Sequence, residues 1–345
     1  MDVEKVGKAI AYLRKRAGYT QKDLADRIGI SDKAVSKWER GQGLPEIGYL
    51  RRLSILLDTD TDSLLAGDVI HHDAGWSGII VLDENKYGIY SGTLIYDKPL
   101  IFFLLSYFLL VGIREITIVG TENDRRFIWE KLGDGSEYGI KINMVVGGLA
   151  DAVNAKNWSG NVMMVYGRCL LYGVEQTRFF QKAMMNHDRF TMLVLPKKIG
   201  EKVSRVVIDQ NKRVVNSNAD EPIKTQYDFS EIPILFFPSE ILHEMVKNDT
   251  VSSFVSEYAS THDLYVHMLD RGFVEIEVDD WDNVQEASTF IRIVQDKCGM
   301  NVYCIEEVAW RRGFISLTQL KKLGEKSEGT KYGEYIISLF NRIKE

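Results

Sequence analysis

The chain has little cysteine, little proline and no long apolar run. Three cysteines in 345 residues, Cys169, Cys298 and Cys304, are too few and too scattered for a disulfide framework or a zinc site. Reduced thiols in a cytoplasm are the expectation. Six prolines and 28 glycines, beside 45% apolar and 27% charged residues, exclude a disordered or fibrous chain. The first residues carry charge at once and lack the apolar stretch of a signal peptide. The most apolar run, 99–113, is shorter than the roughly 20 residues a spanning helix needs. It reads as a buried helix, and no membrane partner is expected. His71 and His72 are adjacent but have no cysteine or carboxylate at ligand spacing, so no metal site is expected.

What is present divides in two. Residues 1–66 hold 12 Lys and Arg against 10 Asp and Glu, whereas the rest holds 31 against 39, within a net charge of -6. A slightly basic head precedes an acidic body, a weak sign of nucleic-acid binding by itself. The head has helical periodicity throughout. Val6, Ile10 and Leu13 form one apolar face. Gly18 ends that helix, and Thr20 caps the next with Asp23 at the capping-box position. Gly29 closes the second helix, Ser31 caps a third, and Gly41 closes it. After Pro45, a fourth helix carries Ile47, Leu50, Leu53, Leu56 and Leu57 on a core face. A short fifth follows Thr61.

The stretch TQKDLADRIGISDKAVSKWERGQGLP resembles the helix-turn-helix domain of the Cro/lambda-repressor type. That resemblance implies a recognition helix in the major groove of double-stranded DNA and a dimer to read two half-sites. Val35 and Trp38 face inward, which leaves Asp32, Lys33, Ser36 and Lys37 outward as candidate base readers. Gln21, opening the preceding helix, and Arg40 are candidate phosphate contacts. The head is expected over 1–67 and a linker over 68–77.

From residue 78 to 345 the pattern becomes strand–helix alternation. GIIVL, EITIVG, INMVV and NVMMVYG read as short buried strands, with helices between them and a helical portion from about 284. The fold class expected is a small all-α head followed by an α/β, Rossmann-like domain with a mixed, mostly parallel sheet. YDKPLIFFLLSYFLLVGIREITIVGTENDRRFIWEKLGDGSEYGIKI, GGLADA, VYGRCLLYG and CIEEVAWRRGFI then resemble sugar nucleotidyltransferases, most closely glucose-1-phosphate thymidylyltransferases. Such enzymes move a nucleotidyl group from a nucleoside triphosphate to a sugar 1-phosphate. They position two polyanions and neutralise charge at phosphorus with Mg2+ and basic side chains.

Against that pattern several positions depart. Asp83, Glu84 and Asn85 stand where the family has a glycine-rich phosphate loop, with Lys86 the cation that remains. Gly167-Arg168-Cys169 stands in place of a Gly-Asp-Asn that binds metal, and Glu277 in place of a second metal Asp. Glu221 replaces a sugar-phosphate lysine, and Pro233 replaces a glycine beside the sugar. The expectation drawn from these departures is a DNA-binding transcriptional regulator whose second domain is not an enzyme. That domain would oligomerise as a homodimer or tetramer, or sense a nucleotide or sugar-nucleotide effector, with no cofactor. Gly148, Leu149, Arg168 and Glu277 are the candidate ligand pocket, and Arg311 and Arg312 could meet an anion near the C-terminus. The alternative is an active glucose-1-phosphate thymidylyltransferase, requiring Mg2+, fused to a DNA-binding head.

Overall fold

The computed structural model describes residues 2–57, 59, 61–67, 75–82, 85–198, 206–208, 214–217 and 227–344. It divides into two compact units, 1–71 and 72–345. Asp83, Glu84, Glu221, His71 and His72 lie outside the described residues.

The first unit is α1 (Val3–Arg16), α2 (Gln21–Ile28), α3 (Asp32–Glu39), α4 (Ile47–Leu56) and α5 (Thr61–Ala66). Local chemistry sets the boundaries. Thr20 and Asp23 form a reciprocal capping box at α2, and Gly29 closes it in the left-handed region at φ 83°. The Ser31 hydroxyl accepts from the Ala34 N–H at α3. Val6, Ile10, Leu24, Val35, Trp38, Leu53 and Leu57 share one buried core. Gly7 lets α1 meet α3, since a Cβ there would fall 2.3 Å from the Trp38 carbonyl oxygen. Ile47 departs from expectation: it is 87% exposed. It is the first residue of α4, so its apolar spacing continues past the point where the core has anything to pack on it.

Seven of the strands of the second unit form one sheet. In chain order they begin with β1 (Trp76–Val81), followed by a small hairpin, β2 (Leu94–Ile95) and β3 (Lys98–Pro99). Next come α6 (Leu100–Leu110), β4 (Glu115–Gly120), α7 (Glu122–Leu132) and β5 (Lys141–Val146). Then follow α8 (Leu149–Ala155), β6 (Asn161–Tyr166), β7 (Cys169–Tyr172), α9 (Gln176–Met184) and β8 (Thr191–Lys198). Beyond them lie β9 (Val206–Ile208), β10 (Val214–Ser217), β11 (Tyr227–Pro238), α10 (Leu242–Met245), α11 (Val251–Thr261), β12 (Tyr265–Met268) and β13 (Val274–Glu277). The C-terminal helices are α12 (Trp281–Cys298), α13 (Ile305–Arg311), α14 (Leu317–Lys326) and α15 (Lys331–Lys344).

The sheet order is β12-β8-β11-β6-β1-β4-β5, with β11 antiparallel to both neighbours and the other pairs parallel. This is the mixed, mostly parallel α/β architecture expected from the alternation. Ile79 and Val81 face a core shared with α8 and α11. Gly78 faces the other side, where a Cβ would meet the Phe108 ring of α6 at 2.6 Å. Helices on both faces account for the nearly continuous apolar strands. The apolar run of the sequence is α6, whose residues Leu100 to Leu109 are all buried. Among the described residues no helix is long and apolar enough to cross a membrane.

Lys98 ties the C-terminal helices to this core. Its side chain is fully buried, paired with Asp97 at 2.5 Å and bonded to Gln295 at 3.0 Å. The rings of Phe103 and Tyr332 lie 4.9 and 5.3 Å from the ammonium. Burial pushes this ammonium below its ordinary value, against the pull of Asp97. Near it, burial raises the Glu306 carboxyl, which accepts from Tyr332 at 2.5 Å.

Candidate functional site

In the head, α3 carries the candidate base readers. Asp32, Lys33 and Lys37 are exposed, Ser36 is half-buried, and Val35 and Trp38 are buried beneath them. A buried ion pair fixes this helix. Glu39 accepts from Arg14 at 2.5 and 3.0 Å, and Arg14 also donates to the Tyr19 carbonyl at 2.7 Å. The Glu39 hydrogen bond holds the Arg14 guanidinium charged against its burial. Gln21 donates its amide to the same Glu39 at 2.7 Å. One of the two side-chain N–H groups expected to meet a phosphate is therefore engaged inside the head. Arg40 is exposed, and its Nε bonds the Ser36 carbonyl at 3.2 Å.

In the body, a cavity of about 330 Å³ opens at the carboxyl ends of β6, β1 and β4. Its walls are the loop after β1 (Asn85, Tyr90), the start of α7 (Thr121, Asp124) and the turn after β6 (Arg168). The strand order makes this location meaningful. From β1 the chain moves outward to β4 and β5, then returns to place β6 on the opposite side of β1. Loops leaving β1 and β6 diverge there, and open α/β sheets bind ligands in the crevice that this reversal creates.

Each wall has a local cause. Asn85 organises the β1 loop: its side-chain oxygen accepts from Tyr87 N and Ile89 N, and its amide donates to the Asp279 carbonyl at 2.8 Å. Trp281 donates to the Tyr87 carbonyl, so the loop is pinned to the turn before α12. Lys86 points elsewhere, over the ring of Tyr87 at 4.8 Å. Asp124 is fully buried and accepts from Thr121 N, Thr121 Oγ and Ser91 N at 2.9, 2.6 and 2.7 Å. Glu122 is held by Arg125, which keeps its carboxyl below the ordinary value.

Arg168 is 6% exposed. Gly167 (φ 73°) turns the chain out of β6 just before it. The Arg168 carbonyl accepts from Val278 N at 2.7 Å, and the β7–β13 ladder pairs Cys169 with Glu277. Positions 168 and 277 are thus brought side by side, as the resemblance requires. Glu277 itself is exposed and outside the cavity lining. Gly148 and Leu149 are not brought to Arg168. They follow β5, three strands from β6, about 14 Å at the ~4.8 Å interstrand spacing. The Gly148 N–H is taken by Asp151 at 2.8 Å, and Leu149 packs against the core. Arg311 is paired with Glu307 at 2.7 Å and Arg312 donates to the Leu110 carbonyl, so the C-terminal arginines are both engaged within the domain.

Sequence reasoning missed one pair. Tyr166, the last residue of β6, donates to Glu231 of β11. Burial raises the Glu231 carboxyl to about 7. The signal was an acid inside the otherwise apolar stretch FSEIPILFF. Pro233 is half-buried next to it, at the register shift where β11 bulges against β8.

Residues 10–64 match the helix-turn-helix family model, and residues 93–298, more than half of the chain, match the nucleotidyl transferase family model. The chain belongs to the nucleotidyl transferase family. Its relatives include glucose-1-phosphate thymidylyltransferases of Neisseria meningitidis and Xanthomonas campestris. They are 28% and 26% identical over 262 residues, covering 72% of this chain and 91% and 88% of theirs. That of Mycobacterium tuberculosis is 26% identical over 265 residues, covering 72% of this chain and 90% of its own. A solved structure assigned as a glucose-1-phosphate thymidylyltransferase from Bacillus anthracis, in complex with a sucrose, superposes with a TM-score of 0.51. At 14% identity over 63% of this chain and 95% of that one, it shows the likeness of fold.

These matches correct the expectation that the nucleotidyl transferase domain is not an enzyme. The relatives carry the name of an enzyme and are matched over most of their length. Single-position departures were weighed too heavily. Two of them, Asp83-Glu84 and Glu221, lie outside the described residues. Arg168, the third, lines the cavity, and one replaced side chain does not outweigh a match over most of the relatives' length. Arg168 has no lone pair to give a metal ion, and among the described residues no group of three or more His, Cys, Asp or Glu could hold one. Mg2+ at phosphate-handling sites is commonly held by one or two carboxylates together with the substrate's phosphates, and Asp83 and Glu84, which precede Asn85 in the chain, lie outside the described residues.

Proposed function

We propose that the body is a sugar-1-phosphate nucleotidyltransferase and that the head ties the same chain to double-stranded DNA as a transcriptional regulator. In the reaction, a phosphate oxygen of a sugar 1-phosphate attacks the α-phosphorus of a nucleoside triphosphate. The α–β P–O bond breaks, and pyrophosphate leaves with the electron pair. The protein's part is placement and charge, since little covalent chemistry falls to it. The cavity beside Arg168, at the reversal of strand order, supports the reading most directly. Glucose 1-phosphate is the substrate class suggested by the names of the relatives. Incubating the full chain with glucose 1-phosphate and each nucleoside triphosphate, then resolving nucleotide sugars by anion-exchange chromatography, tests it. A product peak with one nucleotide supports the reading; none with any nucleotide overturns it.

On DNA, Asp32, Lys33, Ser36 and Lys37 present base-reading groups on one exposed face of α3, and Arg40 extends it toward a phosphate. Gln21 gives one amide N–H to Glu39, so its second amide N–H and its main-chain N–H are the donors it can offer a phosphate. One head reads a half-site, so the reading includes a homo-oligomer, and a cytoplasmic location goes with it. Protection of an inverted repeat upstream of the chain's own gene supports the regulatory part, and binding no tighter than to unrelated duplex sinks it.

A further inference from the structure

We propose that a second cavity, apart from the nucleotidyl-transfer cleft, binds an uncharged saccharide, stacked on Trp129 and hydrogen-bonded by the Tyr138 hydroxyl. The two cavities lie at opposite ends of α7. The cleft takes Thr121 and Asp124 at its start, and the second cavity takes Trp129 and Leu132 at its end. The inference does not depend on the nucleotidyl-transfer reading.

The cavity has a volume of about 730 Å³, within the range of small-molecule sites. Its buried wall includes Lys98, Glu306 and Tyr332, and its exposed rim includes Trp129 and the Lys326–Glu137 pair. Tyr138, in the single 3-10 turn Ser136–Tyr138, lines it as well. This side chain is 6% exposed, and its hydroxyl has no hydrogen-bond partner among the described residues, yet it is not closed off from the cavity. A hydroxyl is costly to bury unmet, so one that opens on a cavity is placed to bond a ligand. Trp129 is 70% exposed. A broad apolar ring with a polar edge, held at the rim of a polar cavity, suits a ligand that is apolar on one face and polar at its edges.

The charges select the ligand. Five acids and three lysines line the cavity, and each lysine already has an acid beside it. Lys98 meets Asp97 at 2.5 Å, Lys326 meets Glu137 at 2.6 Å and Lys131 meets Glu130 at 3.4 Å. The lining thus holds no excess of positive charge for a phosphate, which disfavours a nucleotide or a sugar phosphate. The buried acids are engaged too: Asp97 accepts from Lys98 and Gln295, and Glu306 from Tyr332 and Cys304. The other acids, Asp134 among them, sit on the exposed rim, where an ion pair with a ligand amine is worth little. What fits is an uncharged ligand rich in hydroxyls. Each hydroxyl can donate to a carboxylate oxygen or accept from Tyr138, while the C–H face of the ring lies on Trp129.

Saturation-transfer NMR on the full chain with glucose, galactose, mannose and N-acetylglucosamine tests this. At least one of these sugars is expected to bind. Trp129→Ala, at an exposed position, is expected to lose most of that binding. Tyr138→Phe removes only the hydroxyl. It should weaken binding by roughly two- to tenfold, the worth of one neutral hydrogen bond, and leave the melting temperature no lower. A sugar that binds equally to wild type and to either variant sits elsewhere on the protein, and that result overturns the inference. Binding by none of the four also overturns it, whether or not putrescine, a diamine, binds in their place. A Tyr138→Phe chain that melts lower does so as well, because its hydroxyl would then have a partner within the protein.

Discussion

The carbonyl of Arg168 accepts a hydrogen bond from the N–H of Val278 at 2.7 Å. One main-chain contact thus joins the turn after β6 to the end of the strand that carries Glu277, 109 positions along the numbering. The scaffold that brings these two positions together is intact; Arg168 reverses the charge of the family pattern, while Glu277 keeps a carboxylate.

Glu231 makes stability depend on pH in a defined direction. Its carboxyl is raised to about 7 by burial, so the folded state binds a proton that the unfolded state releases at its ordinary value near 4.5. The sign follows: the protonated acid suits the fold, and stability is lost as pH rises from about 4.5 to about 7. The loss approaches roughly 3 kcal/mol for this group alone. Glu231→Gln should abolish that component. Urea unfolding at pH 5 and pH 8 checks it, and an unchanged pH dependence in the glutamine variant contradicts the assignment.

The buried pair in the head makes a second prediction. Arg14 and Glu39 have side chains 9% and 7% exposed, and Gln21 and Tyr19 complete the network. Glu39→Ala leaves the guanidinium buried without its partner and should cost roughly 3–5 kcal/mol in the head. Thermal melts should show the head transition shifted down and the body transition unmoved. A single unshifted transition argues against the pair's role.

How much of this was legible follows from the range of the interactions. The Thr20–Asp23 capping box and the Gly29 turn were legible because their partners lie within a few residues. Four of the body's strands, β1, β4, β5 and β6, were legible because each is a short apolar run between turns. Ile47 was misplaced because periodicity does not report where the core ends. Gly148 and Leu149 were grouped with Arg168 because strand order is not written in the sequence, and β1 and β4 intervene. The Tyr166–Glu231 and Lys98–Gln295 contacts join segments far apart in the chain, so neither residue carries a local sign of its partner.

The last glycine of LGDGSEYG is closely packed. Gly139 has φ 69°, and a Cβ there would fall 2.4 Å from the Phe314 carbonyl oxygen. Gly139→Ala should cost roughly 1–2 kcal/mol from the left-handed backbone alone, with the displaced Phe314 segment adding to it. A lower urea midpoint for the body with the head unaffected is the expected result.

Lys33 and Lys37 are exposed on α3. Replacing both with alanine should weaken DNA binding. If both meet phosphates, the slope of log affinity against log salt should fall by about 2. If they read bases instead, the slope stays and discrimination between operator and unrelated duplex drops. Fluorescence anisotropy across a salt series separates the two, and no change in either quantity removes α3 from the interface.

The most direct test of the central claim is pyrophosphate release by the full chain from a nucleoside triphosphate and glucose 1-phosphate, beside its Arg168→Ala variant. The nucleotidyl transferase reading predicts turnover that requires both substrates and falls sharply without the guanidinium. No release above the substrate-free control, in a folded protein that binds pyrophosphate, would contradict it.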